Sequence, residues 1–167
     1  MAANRISVIV SSFLLIASIV IHPSVSRAEL KEYTVAGESM SPALLTGDKV
    51  LVDTDVRGPY RRGDLVSVAF RTSKVPMVKR IAAVPGDRVQ FLENAVWVNE
   101  KRVREIYMRR WKSTIKQVER FGHIVPVGYY LILGDNPINS RDSGRLGLIS
   151  RDHLKGKVIR VIKTTTY

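Results

Sequence analysis

Three short stretches carry the residues whose types and spacing suit chemistry. Tyr33–Asp48 (YTVAGESMSPALLTGD) sets Ser39 between Glu38 and Met40 in a loop flanked by strand-like runs. A serine there is an ordinary loop hydroxyl unless a base is brought to it, when it becomes a nucleophile. Val75–Val89 (VPMVKRIAAVPGDRV) places Lys79 inside an apolar run, two residues before Ile81. Strand alternation that turned it outward would leave it solvated, as most lysines are. Held in apolar surroundings its pKa falls, because desolvation disfavours the charged form, and only then is it a general base near neutral pH. Gly134–Gly147 (GDNPINSRDSGRLG) is a polar loop after the apolar run Tyr129–Leu133. By itself it reads as a turn or, loosely, a calcium loop. Its only acids, Asp135 and Asp142, are too few for a good hard-cation cage.

Composition narrows the chemistry further. The chain has no cysteine, which removes disulfides, thiolate metal sites and cysteine nucleophiles, and only His22, His123 and His153 are available for imidazole chemistry. No metal site and no cofactor is expected. The 167 residues, 45% apolar and 25% charged, suit one domain with a core rather than a disordered chain. The net charge of +12 favours an anionic neighbour, either nucleic acid or a membrane surface. Residues 1–28 contribute only Arg5 and Arg27, so residues 29–167 keep +10 of it.

These residues must be positioned by the elements around them. Residues 6–21 are uncharged and apolar on every face, closed by His22-Pro23. As a helix they span roughly 24 Å, slightly short of a hydrocarbon core of about 30 Å. A membrane anchor is the favoured reading of residues 1–28. A cleavable signal peptide competes, because Ser26-Arg27-Ala28 offers small residues at −3 and −1. Charge does not decide the orientation, since Arg5 lies on one side and Arg27 and Lys31 on the other. Residues 29–167 read as a single β-rich domain. Gly-Asp pairs at 47–48, 63–64, 86–87 and 134–135 mark turns beside β-rich runs. The expected strands are 49–53, 65–70, 75–84, 88–92, 95–99, 129–133 and 157–162, with a hairpin turning at Glu93-Asn94. Only 151–154 and part of 106–120 are candidate helix. The fold class is mostly β, with antiparallel sheets or a barrel-like domain behind one N-terminal hydrophobic helix.

In this order and at these intervals, the Gly-x-Ser-Met-x-Pro, Lys-Arg-x-x-x-x-Pro-Gly-Asp and Gly-Asp-Asn-x-x-x-Ser-x-Asp-Ser patterns closely resemble the bacterial type I signal peptidase family. The resemblance covers nearly all of residues 33–160, together with the apolar N-terminus. It implies a membrane-bound serine endopeptidase that removes signal peptides from exported preproteins, cutting after small residues at −1 and −3. It implies a Ser–Lys dyad with Ser39 as nucleophile and Lys79 as base, and the Ser39 backbone N–H as an oxyanion donor. Ser140 would hydrogen-bond the lysine amine, and Asp142 would form a structural ion pair, with Arg80 as its expected partner. Val35, Met40, Leu44, Met77 and Val78 would line the substrate pockets. The implied location is the cytoplasmic (inner) membrane, single-pass, with the catalytic domain outside; the partners are preprotein signal peptides and an anionic lipid surface. The oligomeric state is unknown, and nucleic acid is not an expected partner.

The sequence departs from the family pattern at three positions. Gly37 stands where some members carry a serine that donates to the oxyanion, so a second donor is unassigned. Gly144 replaces the family's arginine after Asp-Ser, and Pro137 replaces another, leaving Arg145 or Arg141 to fill the ion-pair role. Lys101–Arg120 holds eight basic residues with Tyr107 and Trp111 among them. It reads as a solvated basic face or as a surface resting on anionic headgroups with Trp111 at the interface. His123 and His153 are read as surface residues, and Trp97 as packing opposite Val96 and Val98. The competing functions are a self-cleaving repressor using the same dyad, a specialised conjugation-pilin peptidase, and an inactive membrane-anchored binding module whose only support is Gly144.

Overall fold

The computed structural model describes residues 29–71, 75–106 and 108–164. Ten strands form two antiparallel sheets. The larger takes β1 (Leu30–Thr34), β2 (Lys49–Asp53), β3 (Leu65–Val68), β4 (Met77–Ala83), β8 (Tyr129–Leu133), β9 (Ile149–Ser150) and β10 (Leu154–Ile162) in the order β1-β2-β10-β3-β4-β8-β9. The smaller is a meander of β5 (Val89–Leu92), β6 (Ala95–Val98) and β7 (Lys101–Glu105). Two helices, α1 (Met108–Arg120) and α2 (Ser143–Leu146), and a 3-10 turn at Arg151–His153 complete the described residues. Among those residues no helix is long and apolar enough to cross a membrane. The apolar run 6–21 and the expected membrane segment 1–28 lie outside them.

Three of the Gly-Asp pairs are one device used three times. In Val84-Pro85-Gly86-Asp87 the Asp87 N–H donates to Val84 O at 3.0 Å, and its carboxylate accepts the Val84 N–H at 2.9 Å. Gly86 takes the positive φ of +89° that the third position of a type II turn requires. The same two bonds recur at Leu45–Asp48 and Arg61–Asp64. The fourth pair is different: Gly134 is not in the left-handed region, and its glycine serves close approach instead. A Cβ there would lie 2.2 Å from Ser140 Oγ and 2.4 Å from the Ser39 carbonyl oxygen. The Glu93-Asn94 hairpin has the expected two left-handed residues, at φ +50° and +54°.

Alternation along β2 and β4 buries Val50, Val52, Lys79, Ile81 and Ala83. One apolar cluster (Val35, Met40, Leu44, Val50, Val52) underlies the Ser39 loop. A second forms beside it around Val66, Val68, Ile81 and Ile132. The third joins the smaller sheet to α1 through Val96, Val98, Trp111 and Val118. Trp111 is 3% exposed, so the alternative that set it at a lipid interface does not hold. Its indole packs against Phe91, with ring centroids 5.6 Å apart. The exposed cations of α1 flank a helix face anchored by that indole. Trp97 is half-buried between the buried Val96 and Val98, as alternation predicts. His123 and His153 are partly buried rather than simply superficial, and His153 Nδ1 lies 3.2 Å from Ala69 O.

Candidate active site

The Ser39 loop runs from β1 to β2 and is closed at its base by backbone bonds, Val35 N–H to Asp48 O at 2.7 Å and Gly47 N–H to Val35 O at 2.9 Å. Met40 and Leu44 drop into the cluster below, at 2% and 1% exposed, and leave Ser39 only partly buried above them. Two anchors on one side of a loop restrict its backbone, so the hydroxyl is held rather than free to sample solvent.

Lys79 stands on β4, paired with Val66 of β3, and is 2% exposed. Its Nζ donates to Ser39 Oγ at 2.7 Å and to the Val78 carbonyl at 2.8 Å. Burial lowers its pKa from the usual 10.5 to about 8, and the negative charges of Asp142 and Asp135 offset part of that fall. An amine with this pKa is neutral in a useful fraction near physiological pH, and it already points at a hydroxyl. The Ser39–Lys79 juxtaposition is therefore competent for proton transfer from oxygen to nitrogen.

The 134–142 loop supports this pair from behind. Asn136 N–H donates to Ser39 O at 3.0 Å, and Asn139 Nδ2 to Glu38 Oε2 at 3.0 Å, so the loop is fastened to both sides of the serine. Asp142, 2% exposed, caps α2 by accepting the Gly144 N–H at 3.0 Å and takes the Gly134 N–H on its other oxygen at 3.0 Å. Its ion-pair partner is Arg104, at 3.1 Å, which also donates to Gly134 O at 2.7 Å. Arg80 instead holds Asp135 with two bonds, at 2.9 and 2.7 Å, and the expected Arg80–Asp142 pair does not form. The reason is register: Arg80 lies opposite Leu133, next to Gly134-Asp135, whereas Arg104 comes from β7 behind the loop.

The Gly144 departure has a steric counterpart. A Cβ on Gly144 would lie 2.7 and 2.8 Å from indole atoms of Trp111. Trp111 thus occupies the space beside residue 144, and Arg104, 5.7 Å from the indole centroid, provides the guanidinium that pairs with Asp142. Neither Arg145 nor Arg141 does so. Sequence reasoning missed Arg104 because it counted it among the solvated cations of 101–120. Nothing in the basic run 101–120 set Arg104 apart, because its pairing with Asp142 is a long-range contact.

Two further expectations are corrected. Ser140 Oγ is buried and has no hydrogen-bond partner among the described residues; the lysine amine is bound by Ser39 Oγ and Val78 O, while Ser140 packs against the bare Cα of Gly134. Leu44 is sealed beneath the loop and does not reach the cleft. The cleft, of about 470 Å³, is lined by Val35, Met40, Met77 and Val78 together with Ser39 and Lys79. Tyr33, Ser67, Pro76, Asn139 and Arg141 join them, and these were not anticipated from sequence. Among the described residues no group of acids and histidines is arranged to hold a metal ion.

A family model for signal peptidase, peptidase S26, matches residues 5–162. Signal peptidase I U of Bacillus subtilis is 30% identical over 158 residues, covering 90% of this chain and 83% of its own. Signal peptidase I T of the same organism is 38% identical over 133 residues, covering 74% and 69%. The crystal structure of a signal peptidase I from Enterococcus faecalis V583 superposes with a TM-score of 0.43 and 20% identity, over 60% of this chain and 97% of that one.

Proposed function

The chain belongs to the signal peptidases of peptidase family S26, and on that premise we propose that it removes signal peptides from preproteins through a Ser39–Lys79 dyad. The observation that carries this reading is the 2.7 Å contact between Ser39 Oγ and the buried Lys79 amine. Ser39 Oγ attacks the scissile carbonyl carbon while neutral Lys79 takes its proton. The Ser39 N–H donates to the oxyanion, and the lysine ammonium returns the proton to the leaving amine as the C–N bond breaks. The amine then deprotonates a water that attacks the acyl-serine ester, releasing the signal peptide's carboxylate and restoring the serine. Val35, Met77 and Val78 make a cleft wall that suits small side chains at −1 and −3 and excludes large ones. Gly144 gives no support to an inactive binding module, because Asp142 keeps an arginine partner in Arg104.

Residues 6–21 are proposed to anchor the chain in the cytoplasmic membrane, with the catalytic domain on its outer side. The basic residues of α1 would then rest against anionic headgroups, adding roughly 1 kcal/mol of attraction per cation near the surface. The test is to incubate the detergent-solubilised chain with a preprotein carrying Ala-x-Ala and to sequence the product's N-terminus. A cut after the −1 alanine, abolished in Ser39→Ala and in Lys79→Ala, is the expected result. Cleavage surviving in Lys79→Ala would remove the dyad; no cleavage by the folded wild type would remove this substrate class.

A further inference from the structure

Ser67 lies on the wall of the cleft that holds Ser39 and Lys79, 1% exposed, and its Oγ has no hydrogen-bond partner among the described residues. It sits in the middle of β3, between the buried Val66 and Val68, where another valine would satisfy the sheet. Its cross-strand neighbours are Val78 on β4 and Gly156 on β10, and neither side chain can accept or donate. Gly156 cannot be enlarged to supply a partner either, since a Cβ there would lie 2.4 Å from Asp53 O and 2.5 Å from a Val52 methyl. A buried hydroxyl left unpaired costs stability, so its persistence in an otherwise apolar wall calls for a partner that arrives from outside. The cleft is the space that Ser67 borders.

The geometry of a bound peptide says which substrate residue that is. An extended chain with its scissile carbonyl at Ser39 Oγ turns its −1 and −3 side chains to the same face, about 6.5–7 Å apart. Lys79 touches Ser39, whereas Ser67 pairs with Val78 on the adjacent strand, one residue along and one strand spacing of about 4.8 Å away. We propose that Ser67 is the specificity-determining residue of the −3 subsite, its hydroxyl bonding a substrate side-chain hydroxyl so that serine or threonine at −3 is favoured over alanine or valine. This assignment rests on the peptidase reading above and adds a polar preference to the exclusion by size.

The test uses the full chain in detergent and a peptide set with alanine at −1 and alanine, serine or valine at −3. The serine-to-alanine ratio of kcat/KM is expected to be about 3–10 for the wild type, the worth of one net hydrogen bond, and to fall to about 1 in Ser67→Ala. Ser67→Ala without peptide should unfold at a higher temperature, because it removes an unsatisfied hydroxyl. Reading the same ratio as Kd on the Ser39→Ala chain needs no cleavage. A ratio that persists there without turnover by the wild type would overturn the peptidase reading alone. A ratio near 1 in the wild type, a ratio unchanged in Ser67→Ala, or a lower unfolding temperature for that variant would overturn the Ser67 assignment.

Discussion

At the scale of single residues, one side chain meets two opposed demands. Under the proposed mechanism Lys79 must be buried to act as a base, and burial is what penalises its charge. Because its folded pKa of about 8 lies below the usual 10.5, the unfolded chain binds more protons between those values. Its contribution to stability therefore improves as pH rises from about 8 to 10.5 and is worst below 8, by roughly 3 kcal/mol. Lys79→Met is expected to abolish cleavage yet raise the unfolding temperature at pH 7, with the gain shrinking above pH 8. Thermal unfolding of both chains across pH 7–10.5 checks this, and a variant less stable at pH 7 would contradict it. The wild-type single-turnover rate should rise with pH through about 8, as the amine loses its proton.

At the scale of elements, the geometry of the proposed dyad depends on how closely two loops approach. Gly134 lets the 134–142 loop lie against the Ser39 carbonyl, and Asn136 bonds that same oxygen. Gly134→Ala would set a methyl 2.4 Å from a backbone oxygen that cannot move without carrying Ser39 with it. The expected result is a loss of kcat of at least about 100-fold with a folded chain by circular dichroism, since misplacement by about 1 Å has such an effect. Behind the loop, Arg104 joins β7 to the cap of α2 through Asp142, with both side chains largely buried, at 13% and 4% exposed. Arg104→Ala strands the carboxylate and should lower stability by about 3 kcal/mol in denaturant unfolding. Gly144→Arg, which restores the family's residue, should also destabilise, because Trp111 fills that space.

At the scale of the whole molecule, the last described strand returns to lock the end of the Ser39 loop. Lys163 Nζ donates to Asp48 Oδ2 at 2.8 Å, and Thr164 N–H to Oδ1 at 3.0 Å, so β10 and its tail clamp the Gly47-Asp48 turn. Asp48 also accepts the Leu45 N–H, the largest cause of its pKa falling from 3.8 to about 2; Lys163 and Thr164 lower it further. A depressed carboxylate pKa stabilises the fold above its unfolded value. That contribution is present above about pH 4 and is lost as pH falls from about 4 to about 2. Asp48→Asn should therefore flatten the acid arm of the stability curve in that window and leave a smaller difference at pH 2 than at pH 6. Urea unfolding at a series of pH values checks it.

Most strands of the domain were legible in the sequence. The runs 49–53 and 129–133 coincide with β2 and β8, and the Gly-Asp turns and the Glu93-Asn94 hairpin follow from local backbone chemistry. β1 and β7 were not foreseen, because LKEYT and KRVRE are largely exposed and charged, and pairing rather than apolar alternation makes them strands. The pairing of Ser39 with Lys79 was implied by the resemblance of three motifs to a family, whereas the local features alone left Ser39 a loop hydroxyl and Lys79 free to turn outward. Three things belonged to the tertiary structure alone. It turned Lys79 inward, paired Arg104 rather than Arg80 with Asp142, and left the hydroxyls of Ser67 and Ser140 without a partner among the described residues. Those outcomes depend on which groups, distant along the chain, share one volume once sheets and loops have closed, and no local pattern encodes that.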